Sequence, residues 1–230
     1  MAKAKRPIFV PLLKPPWVKE IILEFEWFSG FAKSQAQKSI DALHSEAFKH
    51  GIKPILEISS KSKQQLGKDL SAFNLSLKTK GGKEISVECA FQGSKVFEKG
   101  GPYTDLYYVQ SREAKTDPRI KNSGKILAFN FLGDDFPINP LTAFYDWLYI
   151  TALWQNQKKL EELLRFSGFS DIAFNPKKSL NCQARSAALF VSLYKTNQIE
   201  DVIKDKNFYL SIVDIQKAPV LQPSFPELST

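Results

Sequence analysis

The spacing of apolar and polar residues predicts an opening strand and helix. Prolines recur through residues 7–17, which makes this segment extended. Residues 20–27 alternate apolar and acidic side chains and predict a strand. Apolar residues spaced by three or four positions predict an amphipathic helix over 34–50, with Ser34 as N-cap and Gly51 as terminator. The apolar stripe of this helix consists of Ala36, Ile40, Leu43 and Ala47.

The pattern continues with short elements in the middle of the chain. It predicts a strand at 54–59, a β-hairpin from 70–77 and 84–87, a helix starting near 88, a short helix capped by Ser111, a strand at 126–131 and a loop at 133–140. The hairpin turn is the glycine-containing sequence Lys-Thr-Lys-Gly-Gly-Lys, which favours a tight reversal of the chain.

The last third of the chain is predicted to be mostly helical. Residues 142–165 are apolar almost all round in their first half, which is typical of a buried helix, and Gly168 follows them. A further helix at 183–195 has Ser179 or Asn181 as a candidate cap, and a strand is predicted at 208–215. This mixture of elements predicts a helix-rich α+β fold.

Composition limits the class of protein. The chain has 230 residues with 43% hydrophobic and 13% aromatic content, enough for one domain with a packed core. Apolar runs fall short of the roughly 20 residues that span a membrane, so we expect a cytoplasmic protein. The two cysteines lack metal-ligand spacing and the two histidines are too few for a zinc site, so no metal is expected.

The net charge of +8 is compatible with two kinds of surface. Scattered lysines commonly form a solvated surface without a specific partner. The same charge attracts phosphate groups, as on a nucleotide or nucleic acid. Charge alone leaves both interpretations open.

A charged triplet is the strongest chemical feature of the sequence. If the helix that starts near 88 continues, Glu88, Gln92 and Lys95 lie at i, i+4 and i+7 and share one face. A carboxylate beside an amine in an apolar segment is an arrangement that shifts pKa values at catalytic sites. The alternative is an ordinary ion pair on a solvated helix face.

The residues around this triplet resemble a known family. Residues 86–95 read S-V-E-C-A-F-Q-G-S-K and are similar to S-V-E-H-x-F-Q-x-x-K, the central motif of the NADAR family of YbiA-like N-glycosidases. Four further segments resemble family motifs in the expected order, at 70–73 (L-S-A-F), 111–115 (S-R-E-A-K), 154–168 and 181–189. The resemblance therefore extends over about residues 55–195.

The resemblance implies an organisation of the chain. It implies a single domain of YbiA-like type over residues 54–217, with a small β-hairpin or sheet element. Residues 1–53, with their strand and amphipathic helix, are expected to be an N-terminal extension packed on that domain. Residues 218–230 are expected to form a loose tail.

The resemblance also implies a function. The chain is most similar to the NADAR subgroup encoded beside DarT-type DNA ADP-ribosyltransferase toxins, in which the NADAR protein is the antitoxin. The implied activity is an N-glycosidic-bond hydrolase that removes ADP-ribose from guanine in DNA, or in RNA, without a cofactor and with ADP-ribose as ligand and product. Two alternatives stay open: an N-glycosidase acting on small phosphorylated ribosylamines, and a non-enzymatic antitoxin that sequesters ADP-ribose or DNA.

Three catalytic candidates follow from the matched motifs. Cleavage of the bond at C1″ of the ribose passes through an oxocarbenium-like state. Glu88 is a candidate to stabilise that charge or to activate the nucleophile. A lysine with a lowered pKa is able to attack C1″ and form an imine with the opened sugar. Lys95 and Lys115 both stand in matching motifs, and the sequence does not choose between them.

Substrate binding is assigned to six further residues, namely Phe73, Gln92, Asp146, Trp147, Asn181 and Arg185. Gln92 is a candidate for the ribose hydroxyls and Phe73 for stacking on a base. Asp146 lies in an apolar helix and needs either a ligand hydroxyl or a buried donor as partner. Asn181 and Arg185 lie near a predicted helix start, a suitable place for a pyrophosphate. For these residues a surface, core or ion-pair role is the competing interpretation.

Overall fold

The computed structural model describes residues 2–177 and 179–215 and has a mixed α+β architecture, as predicted. The strands are β1 (Ala2–Pro11), β2 (Val18–Trp27), β3 (Ile55–Glu57), β4 (Ser76–Lys78), β5 (Glu84–Ser86), β6 (Lys95–Phe97), β7 (Ile126–Phe131), β8 (Asp134–Phe136) and β9 (Gly168–Ser170). The α-helices are α1 (Lys33–Lys49), α2 (Gln65–Asp69), α3 (Val87–Gly93), α4 (Ser111–Thr116), α5 (Pro118–Asn122), α6 (Ala143–Gln155), α7 (Leu160–Leu163), α8 (Gln183–Lys195), α9 (Ile199–Lys204) and α10 (Lys206–Ile215). Short 3₁₀ turns occupy Thr104–Tyr108 and Gln157–Lys159.

A four-stranded mixed sheet joins the N-terminal hairpin to two strands from later in the chain. Its strand order is β2-β1-β9-β3, so β9 lies between the N-terminal hairpin and β3. The hairpin β1–β2 is antiparallel from Ala2↔Trp27 to Pro11↔Val18, β1 meets β9 at Phe9↔Phe169, and β3 runs parallel to β9. The predicted domain boundary at residue 53 stays a prediction.

Helix α1 covers one face of this sheet. Its predicted stripe is partly realised, because Ile40, Leu43 and Ala47 are buried. They pack in a cluster with sheet residues such as Ile8 and Phe25. This second, smaller core holds the amphipathic helix on the sheet through apolar burial.

Helices α6 and α8 form the centre of the main core. Nine of the thirteen residues of α6 are buried, in agreement with the apolar composition of residues 143–155, and α8 is buried to the same extent. Phe144 of α6 stacks on Phe129 of β7, with ring centroids 4.7 Å apart, and packs 5.0 Å from Phe136 of β8. This aromatic packing connects α6 to the three-stranded sheet β6-β7-β8.

The helix that carries Glu88 and Gln92 is short, and strands adjoin it at both ends. The hairpin β4–β5 leads directly into α3, whose first turn is capped by the Ser86 hydroxyl accepting from the Cys89 amide. The helix ends at Gly93, where an added Cβ lies only 2.6 Å from the Tyr107 ring. Lys95 then begins β6 and pairs with Phe129. The prediction that Glu88, Gln92 and Lys95 share one helix face is therefore wrong for Lys95.

The predicted long helix at 142–165 is interrupted. Helix α6 ends at Gln155, and the side-chain amide of Asn156 donates to Ala152 O at 2.7 Å and to Ser76 O at 3.1 Å. A side chain that bonds the preceding turn competes with the helical pattern. The helix stops there for that reason, and α7 resumes after a 3₁₀ turn.

Two segments have a different structure from the predicted one. Residues 208–215 belong to helix α10, because their buried side chains Tyr209, Ile212 and Val213 recur at spacings of three and one, as on one face of a helix. Within the predicted loop 133–140, residues 134–136 form strand β8. Gly168, expected to follow a helix, belongs to strand β9.

The predicted helix caps are also wrong in detail. The N-cap positions are occupied by Ala32, Gln110 and Cys182, and none of them caps through its side chain. The hydroxyl of Ser111 instead donates to Phe73 O, which ties α4 to the segment before β4.

Two further expectations from the sequence are that the chain does not span a membrane and that it ends in a loose tail. Within the described part of the chain, none of the helices combines the length and apolar character required to cross a bilayer. The predicted loose tail at 218–230 lies outside the described residues.

Gly67→Ala tests a close backbone contact between α2 and β3. A Cβ at Gly67 lies 2.0 Å from Glu57 O, a backbone atom that cannot move independently of the sheet. We expect the variant to lose about 1–3 kcal/mol of free energy of unfolding through overpacking. Gly81→Ala is the matched control, because the nearest atom to its Cβ is the Thr79 hydroxyl at 3.9 Å. Urea unfolding of both variants measures the effect, and equal stability of the two contradicts it.

Candidate functional site

A cavity of about 840 Å³ opens between two walls of the molecule. One wall is formed by α3, β6 and α4, and the other by residues after β9 that fall within 171–177 and 179–183. The volume lies in the range of roughly 300–1,000 Å³ that is common for small-molecule sites. Polar side chains from both walls converge on it, as expected for a site that orients a polar ligand.

Glu88, Gln92 and Lys95 form a continuous hydrogen-bonded chain on the first wall. The amide nitrogen of Gln92 donates to Glu88 Oε1 at 2.9 Å, and Lys95 Nζ donates to Gln92 Oε1 at 2.6 Å. All three side chains are buried. Lys95 reaches the helical residues from the adjoining strand, so the triplet assembles without a common helix face.

Lys115 approaches the same carboxylate from α4. Its Nζ lies 3.7 Å from Glu88 Oε1 and 5.1 Å from the centre of the Phe73 ring. The Lys115 side chain is 54% exposed, in contrast to the buried Lys95. The two lysines therefore approach Glu88 from different environments, because Lys95 is buried and Lys115 is exposed to solvent.

The environment of Lys95 lowers the pKa of its amine to about 8. Burial is the main cause, the nearby charge of Glu88 opposes it, and the positive charge of Lys115 adds to the lowering. Lys95 Nζ lies 4.6 Å from the centre of the Phe91 ring, and Phe91 packs edge-on against Tyr145 at 5.2 Å. This aromatic wall restricts water around the amine and makes the neutral form accessible near neutral pH.

The opposite wall carries Asp171 and Gln183, which sequence reasoning missed. The amide nitrogen of Gln183 donates to Asp171 Oδ2 at 3.0 Å and to Ile58 O at 2.6 Å, and its oxygen accepts from the Ala72 amide at 2.7 Å. Ala72 O in turn accepts from the Glu88 amide at 2.9 Å. Gln183 thus connects the two walls through the backbone of a single residue, Ala72. The motif at 181–189 was the available signal for Gln183, and nothing in the local sequence distinguished Asp171.

A second buried carboxylate lies behind Asp171. Glu57 accepts from the Ser59 hydroxyl, the Ser170 hydroxyl and the Ile172 amide, and Ser170 Oγ lies 2.8 Å from His44 Nε2. Burial raises the pKa of Glu57. Burial and the charge of Glu57 together raise the pKa of Asp171 to about 7. The second wall therefore holds a carboxyl group that favours its protonated form.

The cavity brings together six of the nine predicted site residues. They are Phe73, Glu88, Gln92, Lys95, Lys115 and Asn181. The side-chain oxygen of Asn181 is buried and accepts no hydrogen bond from a described residue, so it is available to a donor on a ligand. Gln92 bridges Glu88 and Lys95, so its amide orients the charged groups, whereas the sequence assigned it to ribose hydroxyls.

The remaining three predicted residues do not line the cavity. Asp146 forms an ion pair with Arg185, with 2.6 Å between Oδ2 and Nη1, and its other oxygen accepts from the Ser186 hydroxyl at 2.5 Å. The partner that Asp146 requires is therefore protein and not ligand. Trp147 packs on Phe136 with ring centroids 4.8 Å apart. These contacts connect α6, α8 and β8, and the substrate-binding role of Asp146, Arg185 and Trp147 stays a prediction.

The comparison with models of protein families shows the family to which the chain belongs. A model of DarT1-associated NADAR antitoxins matches residues 4–221. The chain belongs to this family. The match confirms the NADAR resemblance of the central motifs and also includes the N-terminal strands, which the motif comparison left out. No curated protein matches the chain at a significant level.

Asp171→Asn tests the protonation of the second wall of this NADAR family member. Asp171 has its pKa raised from 3.8 to about 7, so the folded chain keeps a proton that the unfolded chain releases. The stability that this proton contributes is lost as the pH rises from about 4 to about 7. We expect the free energy of unfolding of the wild type minus that of the variant to fall by at most about 1.4 kcal/mol per pH unit in this window.

Urea unfolding of both proteins from pH 4 to pH 8 measures this difference. Burial lowers the pKa of His44 to about 4, which gives a slope of the opposite sign in each protein. Subtracting one curve from the other removes that common contribution. A difference that stays constant with pH contradicts the proposed protonation.

Proposed function

We propose that this protein is a hydrolase that removes ADP-ribose from guanine bases of DNA, and that this reaction underlies an antitoxin role against a DarT-type ADP-ribosyltransferase. The observation that carries the proposal is the buried Lys95 amine, with its pKa lowered to about 8, linked through Gln92 to Glu88 in the cavity. A nucleophilic amine beside a carboxylate suits cleavage at an anomeric carbon.

The proposed reaction uses the two charged groups in sequence. The neutral amine of Lys95 attacks C1″ while the bond from C1″ to the guanine nitrogen breaks, and the proton that the attacking nitrogen loses passes to the departing guanine nitrogen. Negative charge on Glu88 stabilises the positive charge that develops on the ribose. Opening of the ribose then gives an imine on Lys95, and water hydrolyses it to release ADP-ribose and regenerate the amine.

Burial favours Lys95 over Lys115 as the nucleophile. The exposed Lys115 lies closer to Glu88 as an ion-pair partner, and its charge lowers the pKa of Lys95. We propose that Lys115 positions Glu88 and keeps Lys95 neutral. The available acceptor on Asn181 and the carboxyl group of Asp171 are proposed to hold the more distant part of ADP-ribose.

Glu88→Gln tests the function with a defined substrate. We expect the wild type to convert an oligonucleotide with one ADP-ribosylated guanine into unmodified DNA and free ADP-ribose. Loss of the charge on Glu88 should lower kcat by about 10²–10³, the range for removing one stabilising group in a water-excluded site. Glu113→Gln is the control, because Glu113 is exposed on α4 and does not line the cavity.

Two outcomes test the proposed function and the assignment of Glu88 independently of each other. If the wild type releases no ADP-ribose, the proposed function is wrong. If the wild type is active and Glu88→Gln retains its rate, the function stands and the assignment of Glu88 fails.

Reductive trapping tests which lysine forms the imine. With the modified oligonucleotide and cyanoborohydride, we expect a stable ADP-ribose adduct on Lys95, mapped by peptide mass spectrometry. Lys95→Ala should give no adduct, whereas Lys115→Ala should still give one. The rate should rise as the pH passes through about 8, because the neutral amine is the nucleophile.

The Lys115→Ala variant sharpens this test. Removing its charge removes one cause of the lowered pKa of Lys95, so the pH profile should shift upward. An adduct on Lys115 in the wild type, or an unshifted profile in Lys115→Ala, refutes the division of roles.

A further inference from the structure

A second depression adjoins the cavity at Phe73. It has a volume of about 550 Å³ and is lined by the end of β5, the 3₁₀ turn before α4 and the start of α4. Phe73 lines both the cavity and this groove, and its side chain is 37% exposed. Lys115 lies over Phe73, so the groove adjoins the charged cluster, and its lining includes neither Asp171 nor Asn181.

An exposed aromatic ring lines the groove, and a cation lies over this ring beside the groove. Tyr108 is 57% exposed, and Lys83 Nζ lies 4.7 Å from the centre of its ring. Tyr107 packs edge-on behind Tyr108 and is itself buried, which fixes the exposed ring from below. An open aromatic face beside an amine is suited to stacking on a nucleobase next to a phosphate.

The charge of the groove favours an anionic ligand. Within the described residues, Arg112 and Lys83 have no carboxylate at ion-pair distance. Glu84, the acidic residue that lines the groove, is paired with Lys78 at 3.6 Å. The positive charges of Lys83 and Arg112 are therefore left for a partner from outside.

The floor of the groove is rigid. Ser86 Oγ lies 2.8 Å from Ser111 Oγ, and the Ser111 hydroxyl donates to Phe73 O at 2.9 Å. This network joins β5, α4 and the backbone of Phe73 into one unit. A ligand in the groove is thus held at a fixed position relative to Glu88, which follows Ser86 by two residues.

We infer that this groove binds the polynucleotide strand next to the modified base, with Tyr108 stacking on a neighbouring nucleobase and Lys83 and Arg112 contacting backbone phosphates. The inference rests on the proposed function for the identity of the modified base. ADP-ribose lies in the cavity toward Asp171, the scissile bond lies at Glu88, and the strand leaves past Phe73 into the groove. The enzyme therefore distinguishes a modified polynucleotide from a modified nucleoside.

The double variant Tyr108→Ala/Lys83→Gln tests the groove with two substrates. One is a single-stranded oligonucleotide with one ADP-ribosylated guanine, and the other is ADP-ribosylated guanosine. We expect kcat/KM for the oligonucleotide to fall about tenfold or more, through KM, as for loss of one stacked base. Turnover of the guanosine substrate should not change, since it does not reach the groove.

The chain offers a matched control pair. Phe48 is 58% exposed and has Lys53 Nζ 4.5 Å from its ring centre, but neither residue lines the cavity or the groove. Phe48→Ala/Lys53→Gln removes the same kind of ring and the same charge elsewhere. This control should leave both substrates unaffected.

Binding of an unmodified single-stranded oligonucleotide separates the groove from the reaction. Fluorescence anisotropy should show weaker binding by the groove variant than by the wild type and the control. Arg112→Gln should in addition reduce the slope of log Kd against log salt by about 0.7, the value for one contact to a single strand. This measurement decides the inference even if the wild type hydrolyses neither modified substrate, a result that refutes the proposed function.

Three results overturn the inference. The groove variant binds the unmodified oligonucleotide as the wild type does, or it loses activity equally on both modified substrates, or the control pair has the same effect. If the first result is accompanied by loss of binding to an ADP-ribosyltransferase protein, the groove is instead a protein-docking surface.

Discussion

The arrangement of the cavity depends on the cost of burying the Glu88 carboxylate. A carboxylate withdrawn from water requires donors or positive charge close by. The Glu88 carboxylate accepts a hydrogen bond from the Gln92 amide and forms an ion pair with the Lys115 ammonium group. Gln92 in turn accepts a hydrogen bond from Lys95. The two lysines come from different elements, so compensating one buried charge brings β6 and α4 against α3. The same packing buries Lys95 and leaves Lys115 exposed, and this burial lowers the pKa of Lys95, on which the proposed chemistry depends.

The second wall is organised by Gln183 in a comparable way. Its single amide group bonds Asp171, Ile58 and Ala72, which lie on three separate segments of the chain. Because Ala72 also accepts from the Glu88 amide, the spacing between the walls is fixed by backbone groups. Helix α8 is in turn anchored to α6 by the ion pair of Arg185 with Asp146. The spacing of the walls is thus set by Gln183 and Ala72, which line the cavity, and by an ion pair outside it.

Elements with a clear apolar periodicity were predicted correctly from the sequence. The prediction failed where a single side chain determines the structure. The helix at 183–195 and the strand at 126–131 have the predicted bounds, because apolar spacing determined both. The break at Asn156 depends on a side-chain amide bonded to Ser76, 80 residues away, which no local pattern reveals. At the site, the motifs placed Glu88 and Lys95 together, but the helix ends between them. Asp171 was missed because its raised pKa comes from burial in the fold and from the charge of Glu57, which is distant in the sequence.

The position of β9 between β1 and β3 has a consequence for the synthesis of the protein. The second wall of the cavity continues from β9, whose neighbours in the sheet come from residues 2–11 and 55–57. These pairings join segments more than one hundred residues apart, so they form late and contribute to a high contact order. A nascent chain that has not reached residue 183 contains the residues of the first wall but lacks part of the wall opposite it. Translation must therefore pass most of the chain before the complete cavity exists.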